Sequence, residues 1–256
     1  MSVNKEEGFE MRAEFLQPWS TFVLKTKLPP PILEEMIRIS DEIVENRESA
    51  IRWGHELAGE IKDEFWIEPK TLEPKIMGFF SNVCRTYVAQ AYCQNSPFKK
   101  EEYLKEKWII EMTSMWIISQ KDNEYNPIHV HGGHLSSVMY LKIPEYLPAR
   151  KSHGNDNDGA ITFTNNSSTD KIWGDPNLQI IPQVGDFFIF PATQRHQVYP
   201  FRTPDGKGER RSVSFNALFS NKKVEEFRNN IPNKVEEIFK KSTEKGINDN
   251  DKKCSI

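Results

Sequence analysis

Residues Asn126–Leu141 read NPIHVHGGHLSSVMYL, three histidines within six residues followed at once by an apolar run of strand character. Imidazole is the commonest protein ligand for transition metals. On an extended backbone alternate side chains share a face, so His129 and His131 point the same way and can reach one ion. His134 lies off that face on a regular strand, but Gly132 and Gly133 permit a turn that brings it back. A cluster of this kind, between a proline-containing turn and a strand, reads as a metal site rather than as three surface histidines. His131 ranks above His134 as the partner of His129.

Working outward, a second histidine site lies far downstream. Val184–His196 reads VGDFFIFPATQRH: Gly185 and Asp186 make a turn, Phe187–Phe190 a strand, and Pro191 ends that strand before His196. A ligand from a different strand would close the site. The next stretch, GERRSVSFNAL, alternates, so Arg210, Ser212, Ser214 and Asn216 face one way while Arg211, Val213 and Phe215 face the other. If Arg210 is interior it needs an anion, and a planar guanidinium matches a carboxylate with two parallel hydrogen bonds. The plainer alternative is an exposed edge strand with solvated arginines, since arginine is mostly exposed.

The flanking chain places these motifs in a mainly β unit. Thr21–Leu28 alternates as a short strand, three prolines at 29–31 break it, and Leu33, Met36, Ile37, Ile43 and Val44 recur at helical spacing as far as Asn46. Residues 47–70 read as a loop with one short helix at Leu57–Glu64. Pro74–Cys93 is a longer helix with Ile76, Phe80, Val83, Cys84, Tyr87 and Ala91 on one stripe. From Trp108 the apolar runs are short, β-branched and aromatic: Trp108–Ser119, Leu135–Ile143, Ala160–Thr164, Leu178–Pro182, Asp186–Phe190, Gln197–Phe201 and Arg211–Phe219. Such an order predicts a β unit with helices packed on one side. The expected division is an N-terminal extension at 1–20, one domain at 21–221, and a charged C-terminal segment at 222–256 with a helix near Asn233–Lys241. His153 in the polar loop Lys151–Asp158 reads as a loop residue.

Composition excludes several classes. The net charge of −3 over 256 residues is spread along the chain and suggests no nucleic-acid surface. Mean hydropathy is −0.64, and no apolar run approaches the roughly 18 to 20 residues needed to cross a bilayer. The N-terminus MSVNKEEGFE is unlike a signal peptide, and three cysteines without paired spacing suit a reducing compartment, so a cytoplasmic location is expected. Cys84 and Cys93 read as small apolar packing residues.

In combined order, His-x-His, the strand ending Tyr140-Leu141, Gly185-Asp186 with FIFP, His196, and Arg210-x-Ser212 with SFN resemble the iron(II)- and 2-oxoglutarate-dependent oxygenases. They are most similar to a prolyl-hydroxylase-like branch whose core reads roughly NPxHxH, SGVYYL, GDLxxFPSxLxH and RISISFN. The resemblance spans about Trp116–Phe219. It implies a double-stranded β-helix, the jelly roll of cupin-like proteins, with supporting helices on the larger sheet. It further implies that His129 and His196 are metal ligands, with His131 where most members carry an aspartate. Arg210, supported by Ser212 and Tyr140, would bind the distal carboxylate of 2-oxoglutarate. The implied activity is a dioxygenase, by default a hydroxylase, using Fe(II), 2-oxoglutarate and O2, with ascorbate as an accessory reductant and an unidentified substrate. Two other classes fit parts of the pattern: a cupin-type metal dioxygenase or isomerase without keto acid, and a non-catalytic β-sandwich interaction module.

Overall fold

Three consecutive prolines organise the start of the fold. They end β1 (Leu24–Lys27) and lead into α1 (Pro30–Glu45), where proline in the first turn fits because its missing N–H has no partner there anyway. The computed structural model describes residues 22–54, 59–95, 105–147, 157–165 and 176–222. The expected N-terminal extension, the C-terminal helix and tail, and His153 lie outside the described residues.

The remaining elements are β2 (Glu64–Trp66), α2 (Pro74–Asn95), β3 (Ile109–Lys121), β4 (Asn126–His129), β5 (Leu135–Lys142), β6 (Ile161–Thr164), β7 (Asn177–Ile180), β8 (Asp186–Pro191), β9 (His196–Val198) and β10 (Glu209–Ser220). They form two antiparallel sheets, a large one ordered β1-β8-β5-β10-β3-β2 and a small one ordered β4-β9-β6-β7. From β3 to β10 the chain crosses repeatedly between them, with β3, β5, β8 and β10 in the large sheet and β4, β6, β7 and β9 in the small one. That winding is a jelly roll, or double-stranded β-helix. The expected fold class holds.

Two apolar layers hold it. Met36 of α1 and Ile76, Phe80 and Cys84 of α2 bury against Met115, Ile117, Phe187, Val213 and Phe215 on the outer face of the large sheet. A smaller layer of Val138, Tyr140, Ile161, Phe163, Phe188 and Phe190 lies between the sheets. Alternation along each strand divides the layers: Phe187 faces the helices and Phe188 the small sheet. Cys84 is fully buried as expected, and burial pushes its thiol up to about 12, which leaves it unreactive. No helix among the described residues is long and apolar enough to cross a membrane.

Two expectations are corrected. The short helix at Leu57–Glu64 is not formed in its described part. Glu64 instead opens β2, because Phe65, a β-former with no exposed surface, pairs with Ile117 of β3 and buries there. The second correction concerns Arg211, which faces away from the interior and on that ground is expected to be solvated; β10 is central, not the exposed edge of the plainer alternative. Arg211 is 3% exposed, not solvated. Its guanidinium pairs with Asp41 of α1 and, at 2.6 Å, with Glu209, while Lys142 also reaches Asp41.

Candidate active site

β4 and β9 are neighbours in the small sheet, and their register sets His129 directly opposite His196. The alternation expected for NPIHVH persists past the end of β4. Ile128 and Val130 are exposed, while His129 and His131 turn inward. The backbone N–H of His131 donates to the Ala192 carbonyl at 2.8 Å, which fixes the chain beyond the strand. His129, His131 and His196 each offer a ring nitrogen within 4.8 Å of the others.

Local hydrogen bonds set the tautomers of two of these rings. Nδ1 of His129 lies 2.6 Å from the Pro127 carbonyl and Nδ1 of His196 lies 2.9 Å from the Gln194 carbonyl. A carbonyl only accepts, so both Nδ1 atoms carry the proton and each Nε2 keeps its lone pair. Nε2 of His131 lies 3.3 Å from Nε2 of His196, two nitrogens that a shared cation would satisfy together. Burial lowers all three ring pKa values. It takes His131 to about 4 and His196 to about 3, each with a further push from His129, whereas the Pro127 carbonyl partly offsets the shift at His129. All three are neutral imidazoles near pH 7, the form that binds metal.

Gly133, at φ +93°, makes the turn foreseen at Gly132-Gly133, but the turn carries His134 away from the cluster. The His134 N–H donates to the Ala217 carbonyl at 3.0 Å, its Nδ1 accepts from the Phe219 N–H at 3.1 Å, and its ring lies 4.7 Å from that of Phe219.

Arg210, Ser212 and Ser214 line the same cavity as the three histidines, as do Tyr140, Gln120, Asn126 and Trp116. The cavity encloses about 520 Å³ between the sheets, including its open mouth. Arg210 is 2% exposed; it donates to the Gly159 carbonyl at 2.5 Å and to the Gln120 side-chain carbonyl, which stands opposite it on β3. Its guanidinium lies 5.7 Å from the Tyr140 ring and 5.8 Å from that of Phe201. Both acceptors are neutral, its Nε has no partner, and no carboxylate pairs with it among the described residues. The Tyr140 hydroxyl is likewise buried without a partner, and burial raises it to about 12, so it stays a neutral donor although Arg210 pulls the other way. Buried donors left open beside an uncompensated guanidinium fit an anionic ligand.

Sequence reasoning missed Gln120, the Gly159 carbonyl and Trp116. The alternation of Trp116, Ile118 and Gln120 along β3 was a usable signal, because a glutamine on an apolar strand face calls for a partner. The Gly159 contact was not readable, since it depends on how β6 enters the small sheet.

Fold and pocket together define a double-stranded β-helix with a three-histidine cluster and a buried arginine in one cavity. Residues 114–216, from β3 to β10, match the family described as "Putative 2OG-Fe(II) oxygenase", the stretch on which the motif resemblance falls. Iron(II) and 2-oxoglutarate are the cofactor and co-substrate of that family, and the histidine cluster and the open donors suit both. No curated protein matches the chain in sequence. Similar solved structures include a Pseudomonas putida prolyl-4-hydroxylase, 14% identical, covering 78% of this chain and 92% of its own, with a TM-score of 0.42. A collagen prolyl hydroxylase of Paramecium bursaria Chlorella virus-1, solved with 2-oxoglutarate, is 14% identical and covers 76% and 94%, with a TM-score of 0.44. HygX from Streptomyces hygroscopicus, solved with nickel and 2-oxoglutarate, is 9% identical and covers 79% and 83%, with a TM-score of 0.43.

Proposed function

We propose that this protein is an Fe(II)- and 2-oxoglutarate-dependent dioxygenase that hydroxylates a protein side chain or small molecule, releasing succinate and CO2. His129, His131 and His196 hold the iron, and Arg210, with Ser212 and Tyr140, receives the distal carboxylate of the keto acid. The observation that carries this reading is a buried arginine without a carboxylate in the same cavity as three converging neutral imidazoles. A cupin without keto acid has no use for Arg210, and a purely structural module has no use for three rings with open lone pairs.

When bound, iron and 2-oxoglutarate supply the oxidising chemistry. The chain binds, orients and excludes water. The Pro127 and Gln194 carbonyls fix the tautomers of His129 and His196. Arg210 is held rigid by Gly159 and Gln120, so little order is lost when a carboxylate arrives. Val138, Ile161 and Phe190 keep the inner wall apolar and dry.

Metal analysis after anaerobic loading, together with succinate release, tests this. Wild type and His134→Ala are expected to bind one ferrous ion per chain, whereas His129→Ala and His196→Ala lose it. Equal iron in all four proteins would remove the site.

A further inference from the structure

The flank of the cavity at the β2–β3 corner has a composition that the iron and keto acid do not use. The register pairs Glu64 with Ile118 and Trp66 with Trp116, which puts these four side chains on one face of the large sheet. Trp116 and Ile118 line the cavity, and the Trp116 ring lies 5.6 Å from that of His131. Trp53, whose N–H donates to the Glu64 carbonyl at 2.9 Å, packs against Ile61, Trp116 and Ile118. Its ring centroid is 4.5 Å from that of Trp66. Three indoles therefore gather at this corner, the innermost of which, Trp116, faces the histidine cluster.

Glu64 stands among them with 1% exposure, and neither carboxylate oxygen meets a donor among the described residues. The neighbouring charge, on Glu124, has its own sign. A buried carboxyl without a partner is costly, and an apolar residue would hold a strand more cheaply. Asn126, which lines the same cavity, has a buried side-chain carbonyl that also lacks a partner. Two open acceptors thus accompany indole faces, and of the aromatic side chains indole attracts cations most strongly. An uncharged N–H donor would satisfy the acceptors but gain little from the rings; an ammonium satisfies both.

We propose that the corner formed by Glu64, Trp53, Trp66 and Trp116 binds an ammonium group of the substrate, so that the substrate is a primary or N-methylated amine. This deepens the proposed function and rests on it for the word substrate, but the binding site itself does not require the iron chemistry.

The test uses the full chain with two probes of similar size, n-butylammonium chloride and n-butanol, titrated against intrinsic tryptophan fluorescence and indole N–H resonances. Butylammonium is expected to bind at least tenfold more tightly than butanol. Glu64→Gln, nearly isosteric, should abolish that preference while leaving iron and 2-oxoglutarate binding at wild-type levels. Trp53→Leu should weaken the ammonium probe severalfold and serves as the independent variant if Glu64→Gln does not fold. Equal affinity for the two probes in wild type, or an intact preference in both variants, overturns the amine site and leaves the oxygenase reading standing. Failure of the wild type to bind iron or 2-oxoglutarate, with the ammonium preference present, overturns the oxygenase reading alone.

Discussion

Arg210 and Arg211 are adjacent and both buried, yet they should fail in opposite ways when truncated. Arg210 faces the cavity with neutral partners, so Arg210→Ala removes the cation that a dicarboxylate needs. Loss of a desolvated, hydrogen-bonded charge pair costs roughly 2 to 5 kcal/mol of binding. That corresponds to a 2-oxoglutarate affinity about 30-fold to 4,000-fold weaker. Arg211 instead clamps α1 to β10 through Asp41 and Glu209. Breaking a fully buried pair costs roughly 3 to 5 kcal/mol. Here the acidic partners are 35% and 22% exposed and retain Lys142 and Lys121, so Arg211→Ala should cost about 2 to 3 kcal/mol of stability. For a domain of this size that lowers Tm by about 4 to 12 °C. Calorimetric titration with 2-oxoglutarate at fixed iron, paired with thermal melts, separates the two. The reasoning fails if Arg211→Ala loses the keto acid with an unchanged melt, or if Arg210→Ala titrates like wild type.

Two further outcomes follow from single residues. With no cation bound beside it, burial, and then the charge of Glu124, pushes Glu64 from its ordinary 4.5 up to about 8, so the folded state holds a proton that the unfolded chain has released. Stability should therefore fall as pH rises from about 4.5 to about 8 and level off above that, and Glu64→Gln should flatten the decline by up to several kcal/mol in denaturant titrations; parallel curves for the two proteins would refute this. Gly133→Ala places a side chain at φ +93° with its Cβ 3.3 Å from the Ala217 carbonyl oxygen, backbone that cannot yield. It should cost at least about 1 to 2 kcal/mol and reduce iron content, read from melts and metal analysis.

The convergence of the candidate site residues was legible in the sequence, and the fold class with it. His129, His131 and Arg210 could be placed because strand alternation is a local rule that survives folding, and His196 because a turn, a strand and a proline bracket it. Burial was harder to read. Arg211 obeys the same alternation, but its solvation depended on α1 covering the outer face, which no local pattern states. β2 was passed over because three strand residues are too few to show a period: Glu64 was read as the end of a helix and Phe65 and Trp66 as loop, and Glu64 acquires its environment only when β2 joins β3. His134 illustrates the limit of a correct local inference: the glycine turn was foreseen, while its direction was set by hydrogen bonds to β10.

The two apolar layers are unequal, and the candidate site is attached to the weaker one. The large sheet is buttressed by both helices, whereas the small sheet rests on strands of three or four residues, with β4 at its edge. Amide hydrogens of β4 and β9 should accordingly exchange through local openings far below the free energy of global unfolding. An ion held by His129 and His196 would join the two strands at their shared register position, so occupancy would slow exchange there without touching the large sheet. Loading such a centre and ordering the edge of the small sheet would be a single equilibrium.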